Sequence, residues 1–184
     1  MAKEDVKAAM LKSIEAIKEN PKAANVFFKA NTELLEDVRC SAQVRNHPPM
    51  IIDEMPELGG KNAGPNPVEL LLVALGTCQE IMYSTYASIM GINLDSVKVT
   101  LKGDIDLQGM LGMNESTPSG YNKITFKTDL ESDADEETLL DLIEAVEDHC
   151  PVMDTILREI TINGTAAVNG KELFVSAAKK ARVT

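Results

Sequence analysis

Tryptophan is absent from this 184-residue chain, and aromatic residues make up only 4% of it. The core must therefore be aliphatic, built on Leu, Ile, Val, Ala and nine Met. Three cysteines and two histidines are too few and too scattered for a metal-ligand spacing, which excludes a zinc-type site at this level. No apolar run approaches the ~20 residues that cross a bilayer; the longest, Leu70 to Leu75, falls far short. The start, Met1-Ala2-Lys3-Glu4-Asp5, lacks the apolar stretch of a signal peptide, so the expected location is cytoplasmic, with thiols reduced at rest. Cations are also short: the net charge is −11, and Lys and Arg are scattered. That balance excludes a basic nucleic-acid footprint and disfavours docking on anionic lipid.

What is present reads as a helical extension over residues 1–30 followed by one domain over 31–184. Val6, Ala9, Met10, Ile14 and Ile17 recur at helical spacing over 3–19, and Pro21 is placed to open a second short helix through Phe27 and Phe28. Strand character begins near Ala30, with Val38–Arg45 and Met50-Ile51-Ile52 joined by a turn at His47-Pro48-Pro49. Asn66-Pro67-Val68-Glu69 is a helix start with a capping box, and Gly91 is its stop. Apolar around most of its first half, this helix is expected to be buried centrally. Strands over Val97–Asp106 and Tyr121–Leu130 enclose a Gly-rich loop from Gln108 to Gly120. Asp133-Ala134-Asp135-Glu136 opens a helix that turns Leu139, Leu140, Ile143 and Val146 to the core, and Ile160-Thr161-Ile162 reads as a last strand. The order is α+β rather than the regular alternation of a doubly wound sheet.

Two cysteines stand in distinctive contexts. Cys78 lies within the apolar helix, and Cys150 lies in His149-Cys150-Pro151-Val152, where Pro151 can begin a short helix through Ile156. They are 72 positions apart in sequence, so only a folded core can join them. In a chain of this composition such a pair reads as redox-active rather than as a staple. Cys40 has no motif around it and reads as packing.

The runs Gly64-Pro65-Asn66-Pro67-Val68-Glu69-Leu70-Leu71-Leu72, Ala74-Leu75-Gly76-Thr77-Cys78 and His149-Cys150-Pro151-Val152-Met153-Asp154-Thr155, with the Gly103–Gly109 run, resemble the signature of the OsmC/Ohr family. The resemblance spans roughly residues 35 to 163 and is nearest the OsmC-like branch with a helical amino-terminal addition. It implies antiparallel sheets wrapped around long buried central helices in an intertwined homodimer. It also implies thiol-dependent reduction of organic hydroperoxides, with Cys78 matching the peroxidatic and Cys150 the resolving cysteine. An external dithiol or a lipoyl-bearing protein would return the electrons; no metal, flavin or haem is implied. The family stabilises its thiolate with an Arg from an early strand, for which Arg39 is favoured over Arg45. Met82 would suit an apolar substrate as pocket lining.

One departure from the family pattern bears on turnover. The peroxidases carry a Glu ten residues before the peroxidatic cysteine; here that position is Val68, and Glu69 falls on the opposite face of an ideal helix. Glu54, Glu57 and Glu80 are other acids that could substitute. The departure keeps a second reading open: the same fold as a small-molecule binding or redox-sensing protein without efficient turnover. A third, a thiol enzyme of hydrolytic type, would need a His base, for which His149 is the candidate.

Overall fold

The computed structural model describes residues 3–175, so residues 176–184 of the expected domain lie outside the described part. Helix α1 (Lys3–Glu19) is followed by a 3₁₀ turn (Pro21–Ala24) and strands β1 (Ala30–Glu36), β2 (Arg39–Val44) and β3 (Met50–Ile52). The long helix α2 (Pro67–Met90) leads to β4 (Leu94–Ile105), the single-turn α3 (Leu107–Met110) and β5 (Tyr121–Ser132). Helices α4 (Glu136–His149) and α5 (Pro151–Leu157) and the hairpin β6 (Gly164–Val168) and β7 (Lys171–Val175) complete the described chain. The three sheets are antiparallel, with orders β1-β2-β3, β4-β5 and β6-β7.

Helix α2 begins and ends where its residues require. The Asn66 side chain accepts from the Glu69 N–H at 2.9 Å, and a Glu69 carboxylate oxygen accepts from the Asn66 N–H at 2.8 Å. Pro67 occupies the first turn, where its missing N–H costs nothing, and Gly91 ends the helix at φ 78. Its buried residues, Leu75, Gly76, Gln79, Tyr83, Ala87 and Ser88, form one face. Gly76 lets that face approach β4: a Cβ there would meet Leu101 Cδ1 at 2.6 Å. Leu142 and Val146 of α4 close the core against Tyr83, Ala87 and Ile92. The opposite face of α2, including Val73 and Ile81, is open within one chain, so the central burial expected for this helix is one-sided here.

Several expectations are corrected. The turn after Pro21 stops at Ala24, because Asn25 turns extended (φ −86, ψ 102) and Phe27 and Phe28 have no surface of their own chain to pack on. The Gln108–Gly120 loop holds α3, nucleated by Asp106, whose side chain caps the Gln108 N–H. The cap of α4 is Asp135, accepting from the Thr138 N–H at 2.9 Å. Leu140 is exposed, and Leu142 rather than Leu140 joins Val146 in the core against Tyr83 and Ala87. Ile160-Thr161-Ile162 is not a strand; the last hairpin forms beyond it, around Asn169 and Gly170 at φ 51 and 78. Asn-Gly is the preferred pair for a two-residue hairpin turn, whereas 160–162 has no strand to pair with.

Among the described residues, the β1–β3 sheet makes no packed layer with any helix of its own chain. It is tied to the body through the following loop, which is organised by Asp53. That carboxylate, 2% exposed, accepts the N–H groups of Glu54, Lys61 and Ala63 at 2.9, 3.0 and 3.0 Å.

Candidate functional site at the cysteine pair

Leu142, Val146 and Cys150 recur every four residues and are each 0% exposed. Leu142 and Val146 pack in one cluster with Tyr83 and Ala87 of α2, the helix that carries Cys78. At the end of the stripe the thiols of Cys78 and Cys150 stand side by side, close enough to act on one another. Both are free, Cys78 being partly exposed and Cys150 buried. Cys150 closes α4 and serves as the N-cap residue of α5. The Val152 N–H, one of the first-turn donors that α5 leaves unpaired, donates to the Cys78 sulfur.

Burial pushes the Cys78 thiol above its ordinary value, and the neighbouring Cys150 pushes the same way. The Val152 N–H pulls against them, and no cation is among the groups acting on this sulfur. Arg39 is instead held by Glu36, Nη2 to Oε1 at 3.0 Å, with Lys61 Nζ on the same oxygen at 2.9 Å. The Arg39 Nε is buried without a partner. Arg45 is exposed in a turn at φ 51. Within one chain, then, neither arginine is brought to the thiol pair.

The acids are likewise occupied elsewhere. Glu69 completes the capping box, a Glu54 carboxylate oxygen accepts from Asn66 Nδ2 at 3.2 Å, and Glu80 accepts from the Val99 N–H at 3.2 Å. Glu57 is exposed. Val68, at the position of the family acid, gives its carbonyl to the Tyr121 hydroxyl at 2.9 Å. His149 turns its Nδ1 to the Ala145 carbonyl at 2.9 Å and packs its ring on Tyr86 at 5.5 Å. Facing a carbonyl, Nδ1 is the donor, which leaves Nε2 as the acceptor nitrogen of the neutral ring. Among the described residues no group of three or more His, Cys, Asp or Glu could hold a metal ion.

Met82 packs against the core cluster of Tyr83, Leu142 and Val146. The apolar space next to the cysteines lies a turn away, in a groove of 350 Å³ lined by Leu71, Leu75, Ile124, Phe126, Met153 and Ile156, among others. The sequence carried one signal for this groove, the Pro151-Val152-Met153 run, since a helix starting at Pro151 projects Met153 and Ile156 on one side. The Val152 N–H had no signal beyond its place beside Cys150.

A helix-borne thiol thus meets a buried second thiol at a helix junction within an α+β body. The model of the family described as OsmC-like protein matches residues 59–165, and the chain belongs to this OsmC/Ohr family. Among solved structures it is similar to an OsmC-like protein from Mycoplasma pneumoniae (20% identity, TM-score 0.61, covering 72% of this chain and 88% of that one). It is also similar to an organic hydroperoxide resistance protein from Elizabethkingia anophelis (16%, TM-score 0.55, 72% and 91%). An organic hydroperoxide resistance protein OsmC from Legionella pneumophila aligns as well (15%, TM-score 0.53, 72% and 92%). These identities carry the fold. No curated protein matches the chain.

Among the described residues, no helix is long and apolar enough to cross a membrane.

Proposed function

We propose that the protein is a thiol peroxidase that reduces organic hydroperoxides through Cys78 and Cys150. The observation that carries this reading is the juxtaposition of two free thiols, of which Cys150 is buried and Cys78 partly exposed. The Cys78 thiolate attacks the terminal peroxide oxygen; the O–O bond breaks, and the alkoxide leaves and takes a proton as alcohol. The sulfenic acid left on Cys78 is attacked by the Cys150 sulfur, forming the disulfide and releasing water. An external dithiol, free or on a lipoylated protein, reduces that disulfide by exchange. The Val152 N–H stabilises the thiolate in the first step, and the apolar groove suits a hydrocarbon substituent. A reducing, cytoplasmic setting keeps the resting thiols ready.

The active unit in this proposal is a homodimer. Its support is the β1–β3 sheet, which packs on no helix of its own chain, and the uncovered Val73 and Ile81 face of α2. In the dimer, Arg39 from the early strands is the candidate thiolate-stabilising cation. The names of the Legionella and Elizabethkingia relatives point to the same substrate class. A second reading, binding or redox sensing without efficient turnover, is favoured by one feature: the raised Cys78 thiol with no acid–arginine pair beside it.

One equivalent of cumene hydroperoxide on the reduced protein, followed by peptide mapping, separates the two. A fast Cys78–Cys150 disulfide that Cys78→Ser abolishes is expected for the peroxidase. Slow oxidation with Cys40 modified as readily as Cys78 would remove it and leave the binding reading.

A further inference from the structure

Among the described residues, Leu142, Gln79, Val146, Asp53 and Cys150 are the largest side chains removed from solvent. Asp53 and Gln79 are the polar ones that are not thiols, and they differ in how they are held. The Asp53 carboxylate accepts three N–H groups of its own loop. Gln79 is 1% exposed, and its Oε1 is buried with no hydrogen-bond partner. Nor is Gln79 among the groups that act on the Cys78 sulfur in the reduced protein. An acceptor left open in a core is destabilising, and an apolar side chain of the same shape would serve the fold at least as well. The fold alone therefore gives no reason for a carboxamide at this place.

Its position on α2 supplies one. At about 100° per residue, Gln79 lies about 40° around the helix from Leu75, on the side toward Tyr83. Cys78 lies about 60° from Leu75 on the other side, with Leu71 about 20° from it, so Leu71 and Leu75 fill the sector between Cys78 and Gln79. Helix α5 covers that sector: it packs on α2, and its Met153 and Ile156 share a groove with Leu71 and Leu75. Cys150 is the N-cap residue of α5 and is 0% exposed. It therefore comes down on α2 with Cys78 on one flank and Gln79 on the other.

We propose that Gln79 is the positioning residue of the resolving step, its Oε1 accepting the Cys150 S–H once Cys78 has become a sulfenic acid. In the reduced protein the two thiols stand against each other. Oxidation changes what Cys150 faces: the sulfenic sulfur is an electrophile, and Cys150 must offer it a lone pair rather than a hydrogen. Turning that hydrogen to the open acceptor on the far flank sets the lone pair toward Cys78. The Cys150 sulfur then attacks the Cys78 sulfur; the S–S bond forms, the S–O bond breaks, and the proton given up by Cys150 ends on the departing hydroxide as water. Gln79 acts through Cys150 and has no part in the first step, in which Cys78 meets the peroxide. This inference rests on the peroxidase reading proposed above.

The test compares the full chain with Gln79→Met and Gln79→Leu, which remove the carbonyl acceptor and keep side chains of similar volume. Each reduced protein receives cumene hydroperoxide, and quenched samples are mapped by mass spectrometry for dimedone-trapped Cys78 sulfenic acid and for the Cys78–Cys150 disulfide. The expected result is an unchanged rate of Cys78 oxidation with disulfide formation slowed about fivefold to tenfold, the size of one neutral hydrogen bond. Excess peroxide should then drive more Cys78 to sulfinic acid than in the unsubstituted chain. The urea midpoint should not fall, because the lost acceptor had no partner in the reduced fold, and a merely structural glutamine would lower it. Disulfide formation at the unsubstituted rate in both variants would overturn the inference and leave the peroxidase reading intact. Loss of both steps together with a lowered urea midpoint would overturn it too, making Gln79 a packing residue. An unsubstituted chain that forms neither sulfenic acid nor disulfide would overturn both the inference and the peroxidase reading.

Discussion

The α2–β4–β5–α4 body and the β1–β3 sheet are similar in apolar content but differ in what they bury. In the body, Tyr83, Ala87, Ile92, Leu142 and Val146 close on one another and are nearly removed from solvent. In the sheet, every residue of β1 is exposed, and Ala42 is the one buried side chain across its three strands. The body is completed by its own chain. Among the described residues the sheet has no helix to lie on, which is the feature on which the proposed dimer rests. The cysteine pair belongs wholly to the body, so its geometry does not depend on how the sheet is covered. The candidate Arg39 belongs to the sheet, so its access to the thiol does.

The sharpest way to break this comparison is to truncate one leucine in each region. Leu142→Ala should cost about 3 kcal/mol in urea unfolding, the cost of a cavity in a packed core. Leu34→Ala should change the stability of the isolated chain by less than about 0.5 kcal/mol and act on dimer association instead. Equal losses from the two would show that the sheet has cover within its own chain. A smaller effect is expected at the start of α2, where Asn66→Ala removes the capping box and should cost about 1 kcal/mol.

The least conspicuous effect concerns the tie between the two regions. The N–H groups of Ala63, Lys61 and Glu54, Ala63 most strongly, hold the Asp53 carboxyl below its ordinary value of 3.8 against the opposing push of burial. With the folded value depressed, its stabilisation is complete above the unfolded value and is lost as pH falls through the folded one. The urea midpoint should therefore drop with acid below about pH 4, and Asp53→Asn should flatten that limb. An unchanged acid limb in Asp53→Asn would mean that the loop does not depend on this carboxylate.

Much of the body could be read from residue order because its signals are local. The capping box at Asn66 and Glu69, the stop at Gly91, the turn at His47-Pro48-Pro49 and the start at Pro151 are each decided within a few residues. The errors arose where a local pattern had competitors. Ile160-Thr161-Ile162 alternates like a strand, yet the Asn169-Gly170 turn had the stronger claim on pairing. Leu140 and Leu142 both fit a helical stripe, and packing against Tyr83, Ala87 and Ile92 took Leu142 inward.

By itself, the sequence determined the family, the position of α2 and the identity of the two cysteines, since each rests on contiguous motifs and short-range backbone preferences. Tertiary structure alone decided that Leu142, Val146 and Cys150 form one buried stripe ending at Cys78. It also decided that the Val152 N–H reaches that sulfur, and that Arg39 is held by Glu36 within the chain. These are relations between groups tens of residues apart, and no local preference encodes a distance: it is set only when helices pack and each buried polar group takes the partner that packing leaves within reach.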